Sequence, residues 1–173
     1  KKKRVRFFFK MLEMNLQNFF FKSKWMTPLK KNNFFLKNCI YLPFIVKIEK
    51  KLRSVKNFKI LIIGKFQRRK SIYLALESLH QLSKKYNFNV TIIGEVSNNE
   101  HKNYYLECKS FIKSKNLNNR IQIIKNLKHK RIFNFYKSHN LFLLPSSHEP
   151  ASISLLEAIG YSMPVICSDT CGT

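Results

Sequence analysis

Five short apolar runs recur along the chain from residue 59 onward, and turns rich in polar residues separate them. Each run holds four or five residues, among which isoleucine and leucine predominate. Such runs are typical of strands in a parallel sheet, where both faces of the strand are buried. The predicted strands cover residues 59–63, 90–93, 120–124, 141–144 and 164–168.

The segments between these runs carry apolar residues at helical spacing. The first predicted helix has its apolar positions at Ile72, Leu76, Leu79, Leu82 and Tyr86. The second begins with a capping-box pattern from Ser97 to Glu100. Apolar residues within 132–136 mark the third, and the fourth carries Glu157. This alternation predicts the α/β class, as a Rossmann-like open parallel sheet with helices on both faces.

The chain is strongly basic, with 33 Lys and Arg against 9 acidic residues and a net charge of +24. A basic chain favours nucleic acid or an anionic membrane as a partner. Of the basic residues, 21 lie within residues 1–70 and none follows Lys137. This distribution does not suit a dedicated nucleic-acid face, so no nucleic acid is expected. A biased composition and a peripheral contact with an anionic membrane both stay open as explanations.

The cysteines are spaced in a way that matches no zinc or redox pattern. They are Cys39, Cys108, Cys167 and Cys171. We expect reduced, structural thiols in a cytoplasmic protein. No run of 18 apolar residues is present, which a membrane-spanning helix would need. Because the first residue is Lys and the last follows closely on a strand, we interpret the chain as a fragment cut at both ends.

Two carboxylates, Glu149 and Glu157, stand eight positions apart after the fourth predicted strand. The first lies at the entrance of the predicted helix and the second about two turns into it. Eight helical residues rise about 12 Å, so the two carboxylates lie on the same side and are separated along the axis. This spacing fits two points on one elongated polar ligand. It is too long for two acids that flank a single bond.

A basic turn at residues 64–71 follows the first predicted strand. Gly64 permits close approach of a ligand to the backbone. Lys65, Arg69 and Lys70 place cations where a helix N-terminus already favours anions. In open α/β sheets the ligand lies outside the carboxyl ends of the strands. We therefore interpret this turn as an anion site rather than as a solvated surface turn.

The segment from residue 141 to residue 169 resembles the signature of an enzyme family. It contains Leu-Pro-Ser-Ser-His-Glu-Pro, then Leu-Leu-Glu-Ala, then Pro-Val-Ile-Cys-Ser-Asp. In this setting, two glutamates with seven residues between them resemble the E-x7-E arrangement of retaining glycosyltransferases with the two-domain GT-B fold. The match is to family 4, also called group 1. It runs from about residue 59 to residue 173 and covers the C-terminal, donor-binding domain.

The resemblance implies a role for each candidate residue and a nucleoside-diphosphate sugar, such as a UDP-, GDP- or ADP-sugar, as the donor. Lys65 and Lys70 would neutralise the diphosphate, and together with Glu149, which would meet hydroxyls of the sugar, they form the catalytic set. Glu157 would accept the ribose hydroxyls. The other substrate-binding candidates are Gly64, Arg69, Asn126, Leu127, Ala151, Ser152 and Ile153. Cations fixed at the leaving diphosphate stabilise the transition state, so no metal and no other cofactor is expected.

The resemblance also implies a domain organisation. Residues 1–38 would be the end of an N-terminal acceptor domain or a basic amphipathic segment, and residues 39–57 an interdomain linker. Residues 58–173 would form the nucleotide-sugar-binding domain, truncated at its C-terminus. The parent enzyme would transfer the sugar with retention to a polysaccharide or glycolipid acceptor, in the cytoplasm or at the inner face of the membrane. The chain alone is expected to bind donor without turnover.

The chain departs from the family pattern at a few positions. Ser71 and Ser162 stand where the family has glycine, and Lys65 stands where it has arginine. Two alternatives without transferase activity remain, a basic nucleic-acid-binding module and a dinucleotide-binding Rossmann module. The second would need a Gly-x-Gly-x-x-Gly turn, but after Gly64 the next glycine is Gly94. The histidines expected at the surface are His80, His101, His129 and His139.

Overall fold

The structure, a computed structural model, describes residues 57–149 and 151–171. The predicted segment 1–38 and all of the predicted linker except residue 57 lie outside the described residues. The strands and helices are β1 (Lys59–Ile63), α1 (Ile72–Ser83), β2 (Asn89–Gly94), α2 (Asn99–Ser114), β3 (Ile121–Lys125), α3 (His129–Ser138), β4 (Leu141–Leu144), α4 (Ile153–Gly160) and β5 (Val165–Cys167). Within these two ranges no helix is long and apolar enough to cross a membrane.

The strands form one parallel sheet in the order β3-β2-β1-β4-β5. Leu61 at its centre pairs with Thr91 of β2 on one side and with Phe142 of β4 on the other. The chain runs outward from β1 to β3, then crosses back to β4 and continues to β5. The direction of winding therefore reverses between β1 and β4, which in open sheets marks the ligand site. The predicted fold class is confirmed.

Two apolar clusters cover the two faces of the sheet, because successive strand residues point to opposite faces. Ile60 and Ile62 pack with buried residues of α1 and α2, including Leu76 and Cys108. Leu61 packs on the other face with residues that α3 and α4 contribute. Each fully buried aliphatic side chain contributes about 1.5–3 kcal/mol. Helices thus lie on both faces, as the sequence predicts.

Some local predictions are wrong. Helix α1 ends at Ser83, so Tyr86 lies beyond it and is 54% exposed. The N-cap of α2 is Asn98, whose side chain accepts a hydrogen bond from the backbone N–H of His101, and the predicted cap Ser97 instead contacts the ring of His101. His101 and His139 are buried rather than exposed. His139 Nε2 lies 2.9 Å from Thr91 Oγ1, which explains how a polar ring is accommodated there.

Gly94, the last residue of β2, provides a stability prediction. A Cβ at this position would lie 2.6 Å from Cδ2 of Phe66 and 3.0 Å from the Gly64 carbonyl oxygen. Phe66 is fully buried and packs edge-on against Tyr105, so its ring cannot move without disturbing the core. We expect Gly94→Ala to lower the free energy of unfolding by about 1–3 kcal/mol, as overpacking does elsewhere. Urea denaturation measures the change.

Gly64→Ala is the matched control. A Cβ at Gly64 would meet the side-chain carbons of Lys70 at 3.4 Å or more, which is ordinary van der Waals contact. Its effect on the free energy of unfolding should stay within about 0.5 kcal/mol, as for substitutions away from strained positions. Equal stability of Gly94→Ala and wild type would show that the turn after β1 adjusts to an added methyl group.

Candidate functional site

The candidate site lies at the carboxyl ends of β1 and β4, where the winding reverses. The turn after β1 includes a short 3₁₀ helix, Arg68–Lys70. The loop after β4 contacts this turn directly, since Ser147 donates from its backbone N–H and from its hydroxyl to the carbonyl oxygen of Arg69, at 2.7 and 3.1 Å. These two bonds hold the basic turn and the Glu149 loop together.

Lys70 and Glu149 form the central ion pair of the site. Lys70 Nζ donates to Glu149 Oε2, and only 12% and 8% of the two side chains are exposed. Arg69 Nη1 lies 3.4 Å from the same oxygen, but 48% of its side chain is exposed. Two cations thus share one carboxylate, which leaves one positive charge at the mouth of the site. The guanidinium has five donors, so an anion could still bind Arg69.

The Glu149 loop is braced from the far side by the segment after β5. His148 donates its backbone N–H to Thr170 Oγ1 at 3.2 Å, and the Ser168 hydroxyl donates to the carbonyl oxygen of Ser146. Glu149 itself pairs with Cys171 in a short parallel bridge. The carboxylate therefore sits on a backbone that is held on both sides, which limits the directions in which it can point.

Lys65 does not join this group in the structure. Its Nζ lies 3.3 Å from Glu95 Oε2 at the end of β2, and about half of each side chain is exposed. A hydrogen bond from Ser97 and the nearby Lys65 ammonium lower the pKa of Glu95. The prediction brought Lys65 and Lys70 together on one diphosphate. Because an exposed ion pair contributes only about 0–1 kcal/mol, Lys65 can leave Glu95 at little cost.

A cavity of about 500 Å³ opens beside Lys65 and Glu95, at the carboxyl ends of β1, β2 and β3. Its polar and loop lining includes Gly64, Lys65, Glu95, Ser97, Asn126 and Leu127. Four of these were predicted from sequence as site residues. The Asn126 side chain is already engaged, since its Oδ1 accepts from the Val96 N–H at 2.8 Å and its Nδ2 donates to the Val96 carbonyl at 3.2 Å. It therefore shapes the cavity wall.

Glu157 lies on α4, and both of its carboxylate oxygens have partners. Oε1 is 2.9 Å from His129 Nε2, and Oε2 accepts a hydrogen bond from the Tyr136 hydroxyl at 2.9 Å. Only 16% of the Glu157 side chain is exposed. His129 begins α3, two residues after Leu127 of the cavity wall. Glu157 is therefore linked through His129 to the segment that lines the cavity.

The remaining predicted residues form the start of α4. Ser152 is the N-cap, and its hydroxyl accepts from the backbone N–H of Leu155 at 3.2 Å. Ala151 precedes it and Ile153 is the first helical residue. The N–H groups of a first helical turn have no partner within the helix, so this end of α4 attracts negative charge.

The structure thus brings Lys70, Arg69 and Glu149 into contact, and gathers Gly64, Lys65, Asn126 and Leu127 around the adjoining cavity. Sequence reasoning missed the side-chain partners of two predicted residues: Glu95 contacts Lys65, and both His129 and Tyr136 contact Glu157. Glu95 could have been found, because it follows the second strand-ending glycine just as Lys65 follows the first. The sequence does not show that the Tyr136 hydroxyl has a contact of its own, because the aromatic ring alone explains an apolar position on a helix.

The two serines that replace family glycines both have left-handed backbone geometry. Ser71 has a φ of 49° and Ser162 a φ of 51°. This conformation costs a residue with a Cβ about 1–2 kcal/mol, and glycine adopts it freely. Serine at position 162 therefore strains a turn that glycine would form without strain. Ser71 lies next to Lys70, so one of the two strained turns belongs to the site.

The chain is similar to known proteins both in sequence and in fold. The sequence model of the family described as glycosyl transferases group 1 matches residues 45–173, which is most of the chain. No curated protein sequence matches the chain. Several solved structures do, and three of them are the C-terminal domain of LpcC, a glycosyl transferase group 1 family protein from Francisella tularensis, a glycosyltransferase from Rickettsia africae, and HepE from Anabaena in complex with UDP and glucose.

These likenesses establish the fold. The sequence identities are 22%, 24% and 17%, with TM-scores of 0.58, 0.61 and 0.59. The alignments cover 64%, 68% and 67% of this chain. They cover 57% of the LpcC domain and 30% of each of the other two chains. The chain therefore spans about half or less of the proteins it resembles.

Proposed function

Because the chain belongs to the group 1 glycosyl transferases, we propose that it is the donor-binding part of a family 4 enzyme that transfers a sugar with retention. The donor would be a nucleoside-diphosphate sugar and the acceptor a polysaccharide or a glycolipid. The observation that carries this proposal is the buried pair of Lys70 and Glu149, placed at the point where the sheet reverses its winding. HepE, which has this fold, binds UDP and glucose, and that supports a nucleotide donor here.

The roles follow from charge and position. The diphosphate would lie against Lys70 and Arg69, with Lys65 turning from Glu95 to reach it, and the N–H groups at the start of α4 would add donors. Negative charge develops on the diphosphate as the glycosidic bond breaks. Cations fixed at that place stabilise the transition state more than the ground state. These residues supply enough positive charge that we propose a reaction without a bound metal.

The two acids would hold the two ends of the donor. Glu149 is paired with Lys70 and lies in the loop between β4 and α4, where it would meet hydroxyls of the transferred sugar. Glu157 lies along α4, where it would accept hydroxyls of the ribose. The cavity beside Lys65 would hold the base against Gly64 and Leu127. A donor would then run from the cavity past the buried pair, which places its diphosphate beside Lys70.

Calorimetric titration of the chain with UDP, GDP and ADP tests the proposal. We expect one of the three to bind with a Kd below about 1 mM, and the corresponding nucleoside to bind more weakly because it lacks the diphosphate. Duplex DNA is the comparison for the rival basic module, whose binding would weaken steeply with salt. If no nucleotide binds while DNA binds with a steep salt dependence, the donor-binding proposal is wrong.

A further inference from the structure

We propose that Tyr136 is a positioning residue for Glu157. It holds one oxygen of the Glu157 carboxylate permanently and leaves the other oxygen to a partner that can be exchanged. Oε2 would stay bound to Tyr136, and Oε1, which His129 holds, would be the oxygen that a ribose hydroxyl takes over. This inference rests on the proposed function, because it concerns the same nucleotide site. It adds two residues that neither the sequence motif nor the family match assigns.

Tyr136 is held in place by its surroundings. It is fully buried on α3, it stacks on Tyr161 with ring centroids 5.6 Å apart, and it packs against Phe142 of β4. Its hydroxyl lies 2.9 Å from Glu157 Oε2 and 3.2 Å from the Ser154 carbonyl oxygen, both on α4. Burial, and to a lesser extent the charge of Glu157, raise the pKa of Tyr136, so its hydroxyl keeps its proton and remains a donor.

His129 is a different kind of partner. Its side chain is 63% exposed, and it stands at the first position of α3 with its ring edge against Phe133, at 4.9 Å between centroids. An exposed side chain that leaves its partner replaces that hydrogen bond with one to water, so little is lost when it turns away. Tyr136 cannot turn away, since its hydroxyl would stay buried without a partner of equal strength.

The two contacts therefore impose a direction on the carboxylate. With Oε2 fixed to a buried donor, the plane of the carboxylate is set, and Oε1 points to the side from which His129 approaches. A ribose hydroxyl bound there replaces His129 as the donor. Without the Tyr136 hydroxyl the carboxylate could rotate, and the hydroxyl of the ribose would no longer meet an oxygen at a fixed place.

The preference for ribose over 2′-deoxyribose measures this positioning. We would titrate the chain with UDP and 2′-deoxy-UDP, or with the matched GDP or ADP pair if that base binds better. Wild type should prefer the ribonucleotide by about 10-fold or more, as expected for a hydrogen bond to a charged group. Tyr136→Phe and Glu157→Gln should both reduce this preference to about 3-fold or less, while the deoxynucleotide binds with nearly unchanged affinity. His129→Ala should keep the preference and bind the ribonucleotide at least as tightly as wild type.

Tyr104→Phe is the matched control. Tyr104 is also buried, and its hydroxyl accepts from the Tyr73 backbone N–H at 2.9 Å, but it belongs to the apolar cluster on the opposite face of the sheet. This variant should lose stability to a similar degree as Tyr136→Phe and keep the full ribose preference. Thermal unfolding of each variant separates a loss of positioning from a loss of folding.

The outcomes are distinguishable. If Tyr136→Phe keeps the wild-type preference while Glu157→Gln loses it, Tyr136 does not position the carboxylate, and the proposed function is untouched. If Glu157→Gln keeps the preference, Glu157 does not bind the 2′-hydroxyl of the ribose and the inference fails, although nucleotide binding stands. If wild type binds none of the nucleotides, the proposed function itself fails.

Discussion

Replacing Lys70 by Met should weaken the binding of UDP, or of whichever nucleoside diphosphate binds best, by about 10–100-fold, as expected for the loss of a hydrogen bond between charged groups. Methionine keeps the length of the side-chain stem that lies beside Gly64, with sulfur in place of Cδ, and removes the ammonium group. Because 12% of the Lys70 side chain is exposed, water cannot readily take the place of the lost charge. Calorimetric titration gives the affinity of wild type and variant.

The nucleoside without phosphate is the internal control for this variant. Uridine, or the matching nucleoside, should bind wild type and Lys70→Met with the same affinity, since the base and ribose would lie in the cavity and against Glu157. A second control is Lys84→Met, which removes a cation at the C-terminal end of α1. That variant should bind the diphosphate as wild type does. A Lys70→Met variant that binds diphosphate and nucleoside with wild-type affinities would remove Lys70 from the proposed phosphate site.

Lys65→Met tests whether Lys65 contributes as much as Lys70 to diphosphate binding, since the sequence analysis assigned both lysines to the same diphosphate. Lys65 is half exposed and paired with Glu95. Breaking that pair therefore cancels part of the binding free energy that Lys65 would contribute to a diphosphate. Its loss should therefore weaken diphosphate binding less than the loss of Lys70, by only a few-fold, in line with the small contribution of exposed ion pairs. The order of the two effects tests whether burial at the site, rather than the number of cations, sets the strength of phosphate binding.

The sheet was predictable from sequence because each strand carries its own signal. Runs such as residues 59–63 are apolar on both faces, and only a central position in a parallel sheet buries both faces at once. The alternation with helical segments then leaves few arrangements. Strand ends were less certain: β3 begins at Ile121 rather than at residue 120, because pairing with Val90 of β2 fixes the register.

Local polar contacts were harder to predict because neighbouring residues offer the same chemistry. Ser97 and Asn98 are both good N-cap residues, and the capping-box pattern favours Ser97. In the structure the buried ring of His101 lies 3.0 Å from the Ser97 hydroxyl, which leaves Asn98 to cap the helix. The contact of Ser97 with the buried His101 decides between the two caps, and the capping-box pattern does not include this contact.

In the candidate site too, the sequence predicted residues but not the contacts between them. Lys70 and Glu149 are 79 positions apart, and the sequence predicted a role for each but not that they contact one another. Their contact follows from the adjacency of β1 and β4. Tyr136 was predicted only as an apolar marker of α3, and its hydroxyl became informative once α4 was placed beside it. The motif predicts which residue types matter, and the strand order determines which of them meet.

Glu149→Leu, which leaves Lys70 in place, should lower the free energy of unfolding by about 2–4 kcal/mol, because an ammonium group that is almost buried loses its main partner. Arg69 can turn into solvent and does not compensate for Lys70. The double variant Lys70→Met/Glu149→Leu should recover most of this loss, since a buried ion pair can be replaced by apolar residues of similar volume with little change in stability. Urea denaturation of wild type, both single variants and the double variant gives the coupling free energy.

The pair Lys65 and Glu95 is the matched control, because it has the same chemistry at the same edge of the sheet but is half exposed. The cycle Lys65→Met, Glu95→Gln and their combination should show a coupling below about 1 kcal/mol. A similar coupling for both pairs would mean that Lys70 and Glu149 are hydrated in solution. The double variant Lys70→Met/Glu149→Leu should fold and bind the nucleoside as wild type does, but bind the nucleoside diphosphate more weakly. That result would show that the chain keeps its buried charges for binding at the expense of stability.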